Sequence, residues 1–565
     1  MRTLNYETEL CVVGGGLSGL CCAIAASRHG IKTILVHDRA VLGGNASSEI
    51  RMHICGAKGQ NNRETGIIEE IVLENFYRNP EQNYSIWDTV LYEKAMAEEN
   101  LTLLLNTSCL DATMNNEKIK SIKAWQSNAE TFHIIKAKYF ADCSGDSILA
   151  PLSNAEYRYG REAKSEFSET IPPVVSDKKT MGMSCLMQIR ETDHKVEFIP
   201  PEWAYKYETE EMLKYKPHEL IMEDNFWWLE VGGEWDCIHD TDRCRDELLK
   251  IAFGVWDHIK NYGNHGMDNH ELEWIGMLPG KRESRRYVGE YTVTENDVKN
   301  EGRFNDIVAY GGWPMDDHFP GGFYYQEGYP TIFHPAPCLW GLPLRCMISK
   351  NIQNLVFAGR NISITHAALS SSRVMATCSL LGQALGTAVA QAVISNTDIR
   401  KIDIKTLQNT LMNDDCFIPG HEREVSELSK NANCSAEIVR NGQYRKEENL
   451  WIGSKYDTVT YTFDSEVKVS KIRLVFDSDL NRETHNMLSN YYIRNEQPKP
   501  LPKTLIKEYK VVGEKENGET FEIEVLNNRK RLVYHNVDWS VKKVTFVPIK
   551  THGTPDFRLF GFEVE

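Results

Sequence analysis

Gly14, Gly16 and Gly19 carry the spacing GxGxxG between an apolar run, ELCVVG, and a small-residue run, LSGLCCAIAAS. Each would do a different job. Gly14 lets the backbone leave a strand sharply, Gly16 lets it approach a pyrophosphate, and Gly19 lets a helix pack close on a sheet. Leu17 and Ser18 open that helix, where unpaired N–H groups and the dipole favour a phosphate. Asp38 closes the next strand, TILVHD, and places an acid where a ribose hydroxyl would donate to it, with Arg39 following. Dinucleotide binding is the expectation. The alternative is a glycine-rich turn in an α/β fold that has lost its ligand.

Other polar stretches follow the same logic. Gly43 and Gly44 carry no side chains, which lets the backbone pass close to a second phosphate or a flat ring; Asn45 comes next. Arg51, His53 and Cys55 alternate in a short extended stretch that would turn all three one way, unless the loop satisfies its own polar groups. Asp142, Cys143, Ser144, Gly145 and Asp146 end a strand in a small turn, again bringing backbone near a ligand. In LPGKRESRRYVGEY, Arg282, Arg285 and Arg286 share one carboxylate, Glu283. At least one guanidinium is therefore left for a phosphate, a substrate carboxylate or a distant acid, the competing reading being an internal salt-bridge network. Late in the chain a short buried strand at 355–357 leads through Gly359 and Arg360 to a helix from about Arg373 and Val374 to Ile394. Ala376, Gly382, Ala384, Gly386 and Ala388 would let that helix approach a sheet closely.

These pieces need supporting elements. Residues 64–99 read as helices with Ile67, Ile68, Ile71, Val72 and Leu73 on an apolar side. LTLLLN, IKSIKAW and ETFHIIKAKYFADCSG read as three strands, the first two joined through NNEK. An aromatic-rich insert of weak periodicity follows, then the return strand, turn and helix. The last part is different in kind: TVTYTF, KIRLVFD, IKEYKVVGE, ETFEIEVL and KKVTFVPI alternate with period two, and Asn517-Gly518 is a hairpin signal. These runs predict a separate antiparallel β-sandwich.

The 565 residues exceed one ordinary core, and hydrophobic and charged contents of 41% and 25% are ordinary globular values. A net charge of −16 without a basic run argues against nucleic-acid or anionic-membrane partners. The polar start, MRTLNYETEL, leaves no room for a signal peptide, and no uninterrupted apolar run predicts a membrane helix. Fourteen cysteines lie without CxxC or zinc spacing, and most read as small core residues. A reducing, cytoplasmic location fits best, and no metal is expected.

The stretches DRAVLGGNASSE, LPGKRESRRYVGEYTVTENDV and NLVFAGRNISITHAALSSSRVMATCSLLGQALGTA resemble the FAD-dependent oxidoreductases of the glutathione-reductase-type fold. More narrowly they resemble a bacterial subgroup marked by RESRR and AGRNIS. The C-terminal runs resemble discoidin or galactose-binding jelly rolls. The resemblance implies an α/β chain: a Rossmann-like FAD-binding domain at 1–155, an inserted α+β substrate domain at 156–340, and a return segment at 341–400. A helical connector at 401–440 and a β-sandwich at 441–565 complete it. It implies that Gly14, Gly16 and Gly19 take the FAD pyrophosphate, Asp38 the adenosine ribose, and Gly43, Gly44 and Asn45 the ribityl chain. Asp142 to Gly145 match a second nucleotide-side turn. Gly359, Arg360, Arg373 and Val374 match the stretch beside the flavin pyrophosphate and pyrimidine edge. Position 38 carries Asp where these flavoproteins more often carry Glu.

Hydride transfer between a small polar substrate and flavin N5 is then the implied chemistry, with the protein supplying position, charge and a proton. His53, His318 and His366 are candidate acid–base groups. Arg282, Arg285 or Arg286 would hold an anion or stabilise the reduced ring. No second GxGxxG supplies a nicotinamide site, so electrons pass through a substrate, a quinone, oxygen or a partner protein. A sugar or sugar derivative is one substrate class, suggested by the pairing with a jelly roll and by the many tryptophans. Two other readings stand beside it: a redox-neutral flavoprotein, and a glycan-binding protein that kept the fold. The β-sandwich reads equally as a packing or homo-oligomerisation module.

Overall fold

The computed structural model describes residues 1–218, 225–487, 491–492 and 498–565. The chain divides into two compact units. The first comprises Met1–Lys58, Gln82–Leu407 and His485–Gln497; the second comprises Gly59–Glu81, Gln408–Thr484 and Pro498–Glu565.

A seven-stranded sheet organises the first unit. β1 (Arg2–Val13) leads through the glycine turn to α1 (Leu17–Arg28) and β2 (Thr33–Val36). β3 (Leu101–Leu104), β4 (Thr107–Asn115), β5 (Lys118–Gln126) and β6 (Thr131–Asp142) follow. The order is β3-β2-β1-β6-β5-β4, and the return strand Leu355–Phe357 also pairs with β6. β1, β2, β3, β6 and the return strand run parallel, whereas β4 and β5 are antiparallel. Register brings the parallel strands to a common level: Val13 lies opposite both Val36 and Asp142, and Asp142 lies opposite Phe357. Four turns therefore open at one edge, where open α/β sheets take their ligands.

Local chemistry explains most of this. Leu10, Cys11, Val12 and Val13 are all buried, the continuous apolar run of a strand covered on both faces. Cys21 and Cys22 on α1 are fully buried, as small core residues. NNEK joins β4 to β5 and not LTLLLN to IKSIKAW, because TSCLDATMN, exposed or half-buried except at Thr107, is itself a strand.

The small-residue helix runs over Met375–Ile394, as expected, behind a short helix, His366–Ser372; its glycines approach α1 and not a sheet, although the helix also packs on strand Ile307–Gly311. A Cβ on Gly382 would fall 2.0 Å from the Ser18 carbonyl oxygen, and one on Gly386 2.2 Å from that of Cys22. Met375–Ile394 is long and apolar enough to cross a membrane, yet 83% of its most apolar stretch is buried inside the protein. Its polar residues are uncharged, which is how it passes that test as a core helix.

The insert consists of short paired strands around helix Thr241–Asp257. Leu248, Ile251, Val255 and Trp256 on that helix pack with Trp228 and Leu229 in a core of their own.

The second unit holds a seven-stranded antiparallel sheet. Strands Ile506–Glu514 and Thr520–Val525 flank Asn517-Gly518 and pair as the hairpin signal predicts. TVTYTF and KIRLVFD merge into one strand, Val459–Phe476, whose register against Leu532–Thr551 shifts twice. Phe476, Tyr509, Phe546 and Phe562 cluster between the strands. Helix α2 (Ile67–Arg78) belongs to this unit, with Glu69 ion-paired to Arg482 and Glu74 to Arg529. Helix α3 (Tyr84–Met96) belongs to the first.

Candidate functional site

At the shared edge of the parallel strands lies a cavity of about 680 Å³, a size suited to a cofactor with room for a small substrate. Gly14, Gly16, Leu17, Ser18, Asp38, Arg39, Gly43, Gly44, Asn45, Gly145, Gly359, Arg360, Arg373 and Val374 line it. So do His53, His318 and Arg282.

One wall is backbone. Gly14 has φ of +105°, and a Cβ there would strike the Cys143 and Ser144 backbone at 2.5 Å. Gly16 caps α1 and pairs with Gly43 in a lone parallel bridge; a Cβ on Gly44 would sit 3.1 Å from the Gly16 Cα. The turn is pinned by His37, which sequence reasoning missed. Its Nδ1 accepts from the Gly15 N–H (3.0 Å), and its Nε2 donates to the Val41 carbonyl (2.9 Å). Ser18 Oγ, on the first turn of α1, is buried with no hydrogen-bond partner.

Charges meet where β6 and the return strand end. Arg360 donates to Asp146 Oδ1 (2.7 Å) and Ser284 Oγ (3.0 Å), while Lys281 Nζ donates to Asp146 Oδ2 (2.7 Å). Burial opposes the Asp146 charge, but Arg360 and Lys281 outweigh it and hold the carboxyl well below the usual range. The sequence reading places Asp146 in the turn after β6 without a partner, and it misses Lys281.

The far wall is a row of paired side chains. Arg282 donates to Ser184 Oγ (2.8 Å) and the Trp227 carbonyl (2.9 Å) and lies 3.3 Å from Glu230 Oε2. His318 Nδ1 donates to Glu230 Oε2 (2.7 Å), and its Nε2 faces Asp316 Oδ1 at 3.3 Å. Arg373 closes the row on Asp316 (2.9 Å). Burial opposes the charges on Glu230 and Asp316, but the flanking cations keep both carboxyls low. The Trp227 ring stands edge-on to His318 at 5.4 Å. Glu230, Asp316 and Trp227 carried no sequence signal that placed them here.

His53 lines the cavity beside His485, ring centroids 4.2 Å apart. Burial, then His485 and Lys58, push its pKa down to about 3. Arg51 departs from the expected alternation. Its backbone is left-handed (φ 63°), and its guanidinium sits over Trp274 and Tyr84 and donates to Gln188 (2.7 Å).

Five candidates lie outside the cavity lining. Gly19 serves packing, since a Cβ would meet the Gly14 carbonyl oxygen at 1.8 Å. Asp142 is spent on structure, accepting from Ser144 N (2.9 Å), Leu149 N (2.8 Å) and Tyr287 OH (2.6 Å). His366 is not an acid–base group of this site. It is buried between Glu283 (2.9 Å) and Asp317 (3.0 Å), and although burial opposes its charge, the two carboxylates raise its pKa to about 10. Arg286 is fully buried, paired with Glu162 (2.8 Å) and donating to the Gly160 and Ile364 carbonyls. Arg285 stacks over Tyr157 and donates to the Asp146 carbonyl (3.3 Å). For Arg286 the salt-bridge alternative describes what is seen.

A parallel sheet with a glycine turn at its ligand edge, an orphaned hydroxyl on the helix N-terminus and a cofactor-sized cavity define a dinucleotide-binding enzyme fold. The family model for FAD dependent oxidoreductase matches residues 9–411, and the chain belongs to that family. It is an oxidoreductase whose cofactor is FAD. The search of curated proteins finds no match.

Similar solved structures include a geranylgeranyl bacteriochlorophyll reductase-like protein from Thermoplasma acidophilum (13% identity, 73% of this chain and 85% of that one, TM-score 0.34). A flavin-dependent brominase is similar at 10% identity over 72% and 86%, TM-score 0.34. A family 32 carbohydrate-binding module from Streptococcus pneumoniae EndoD is similar at 12% identity, over 25% of this chain and 99% of that one, TM-score 0.20. Likenesses this loose support no conclusion about the substrate.

Proposed function

We propose that the enzyme moves a hydride between FAD and a small polar substrate that carries a hydroxyl or carbonyl group. The observation that carries this reading is the row Arg282–Glu230–His318–Asp316–Arg373, of which Arg282, His318, Asp316 and Arg373 line the same cavity as the glycine turn and Glu230 ties two of them from behind. FAD supplies the two-electron chemistry when bound. Gly14, Gly16, Ser18, Gly44 and Arg360 would hold its phosphates and ribityl chain, and Asp38 its ribose.

The chain's own residues would then orient the substrate oxygen and handle its proton. With a pKa near 3, His53 is neutral at pH 7 and a poor base, so its part is to orient the substrate as a hydrogen-bonding partner. His318 is better placed for the proton. Its Nδ1 is anchored on Glu230, and its Nε2 contact to Asp316, at 3.3 Å, is long enough for a substrate oxygen to compete. Arg282 and Arg373 have their charges matched by Glu230 and Asp316, which favours a neutral polyol, sugar or sugar-derived substrate over a dianion.

The test is anaerobic titration of the oxidised holoenzyme with sugars, polyols and hydroxy acids, and of the dithionite-reduced enzyme with the matching carbonyl compounds. Bleaching, or its reversal, by one compound class supports the proposal. His318→Gln should then keep its flavin and slow that step by about 100-fold. Flavin that no member of either panel oxidises or reduces would overturn the reading.

A further inference from the structure

Away from the cavity, in the insert, four potential ligands meet. Glu210 opens a short 3-10 turn, Glu210–Leu213, and His218 lies just beyond it. His258 follows the end of helix Thr241–Asp257, and His265 follows in the next loop. One ligand atom from each lies within 4.8 Å of all the others. The Nε2 atoms of His218, His258 and His265 approach Glu210 carboxylate oxygens at 2.8, 3.2 and 3.3 Å. The three rings stand T-shaped to one another with centroids 5.1 to 5.2 Å apart.

Proton counting makes this arrangement hard to explain with hydrogen bonds alone. His218 Nδ1 donates to the Lys216 carbonyl (2.7 Å) and His258 Nδ1 to the Tyr207 carbonyl (2.6 Å). Carbonyls only accept, so both Nδ1 atoms carry protons. Nε2 of the same rings faces a carboxylate, which also only accepts. With no cation between them, an ionised Glu210 has no proton to give these two Nε2 atoms, and all three rings crowd one carboxylate. His318 and His366 show the balanced alternative, each flanked by two carboxylates. A divalent cation removes the conflict: each imidazole stays neutral, keeps its Nδ1–H on a backbone carbonyl and turns its Nε2 lone pair on the ion. A backbone carbonyl on the outer nitrogen is the usual support of a metal-bound histidine.

We propose that Glu210, His218, His258 and His265 bind one zinc ion. Three imidazole nitrogens and one carboxylate oxygen suit tetrahedral zinc, with bonds of about 2.0–2.2 Å. Tyr207, Leu213, Trp256 and Ile259, close to the ligands in sequence, belong to the insert's buried apolar core, while Glu210 reaches solvent and gives the ion an entry path. Gly263 fits the same design, because a Cβ there would fall 2.0 Å from His265 Nε2. All four ligands lie within residues 210–265, so the ion would staple the end of one helix to the 207–218 segment and brace the insert.

Metal analysis of the full-length flavoprotein, purified without chelator and then titrated with zinc chloride against a chromophoric chelator, tests this. One zinc per chain is expected, with X-ray absorption showing only nitrogen and oxygen neighbours at about 2.0–2.2 Å. Removing the zinc should lower the thermal midpoint, and adding it back should restore the midpoint. His218→Ala should weaken zinc binding by at least about 100-fold. Gly263→Ala, which keeps every ligand, and Glu210→Gln, at an exposed position, should each weaken it while retaining the flavin spectrum. Wild-type protein that holds no zinc at micromolar concentrations overturns the proposal. So does a sulfur neighbour at about 2.3 Å, or zinc held equally by wild type, Gly263→Ala and Glu210→Gln.

Discussion

The two walls of the cavity are built on opposite principles. The glycine wall is backbone: glycines, strand ends held level by register, and the first turn of α1. The opposite wall is side chains, with Arg282, His318, Asp316 and Arg373 at the cavity and Glu230 behind them, brought together from four separate stretches of chain. A backbone wall depends on what is missing, namely Cβ atoms. A charged wall depends on every partner being present, because a buried ion without its counter-ion costs far more than the pair contributes.

The largest expected effect breaks the first wall. A Cβ at Gly16 has no neighbour nearer than the Gly44 Cα at 3.8 Å, so Gly16→Asp is expected to fold. Its carboxylate would project toward the phosphate position, and like-charge repulsion of about 3 kcal/mol corresponds to roughly 100-fold weaker FAD binding. Flavin stoichiometry and a melting curve on the same sample check both halves. Undiminished flavin would show that the turn is not the phosphate cradle.

Glu230→Gln strikes the second wall alone. It keeps the shape but removes the carboxylate that Arg282 and His318 share, at a fully buried site. A loss of about 3 kcal/mol in unfolding free energy is expected by denaturant titration. FAD should remain bound. Parallel loss of flavin would mean that the two walls are one cooperative structure.

This difference also explains what the sequence made legible. Gly14, Gly16, Gly44 and Asp38 could be placed from spacing alone, because a strand–turn–helix fixes its own geometry within forty residues. Arg360 and Arg373 were placed on the cofactor side by resemblance, but their partners were not visible. Asp146, Lys281 and Glu230 gain their meaning only from partners in separate stretches, such as Lys281 for Asp146 and Arg282 and His318 for Glu230. His366 misled for the same reason. Nothing local shows that Glu283 and Asp317 would close on it from separate segments. The zinc ligands are spread over 210–265 without the short spacings that mark a metal site in sequence.

His366 gives the charged layer behind the second wall a pH signature. Its pKa rises from an ordinary 6.5 to about 10 on folding, because Glu283 and Asp317 favour its charge more than burial opposes it. A raised pKa means that the folded state binds the proton more tightly. The stabilisation is complete below pH 6.5 and is lost as pH rises toward 10. Unfolding free energy should therefore fall across that window, and His366→Gln should flatten the fall. Denaturant titrations at pH 6, 8 and 10 compare the two slopes. Equal slopes would remove His366 as the source.

The smallest effect separates what the backbone wall does by itself from what its one side chain adds. Ser18 Oγ is buried on the first turn of α1 with no partner in the protein, so it contributes no hydrogen bond to the fold. Removing it by Ser18→Ala should leave the flavin-free protein as stable as before, or slightly more so, because a desolvated hydroxyl is gone. If the hydroxyl is there for a phosphate oxygen, FAD affinity should fall by about 1 kcal/mol, roughly fivefold. Fluorescence titration of the apoprotein resolves a change of that size. Unchanged affinity would mean that the cradle is backbone throughout and that the glycine wall needs no side-chain donor on α1.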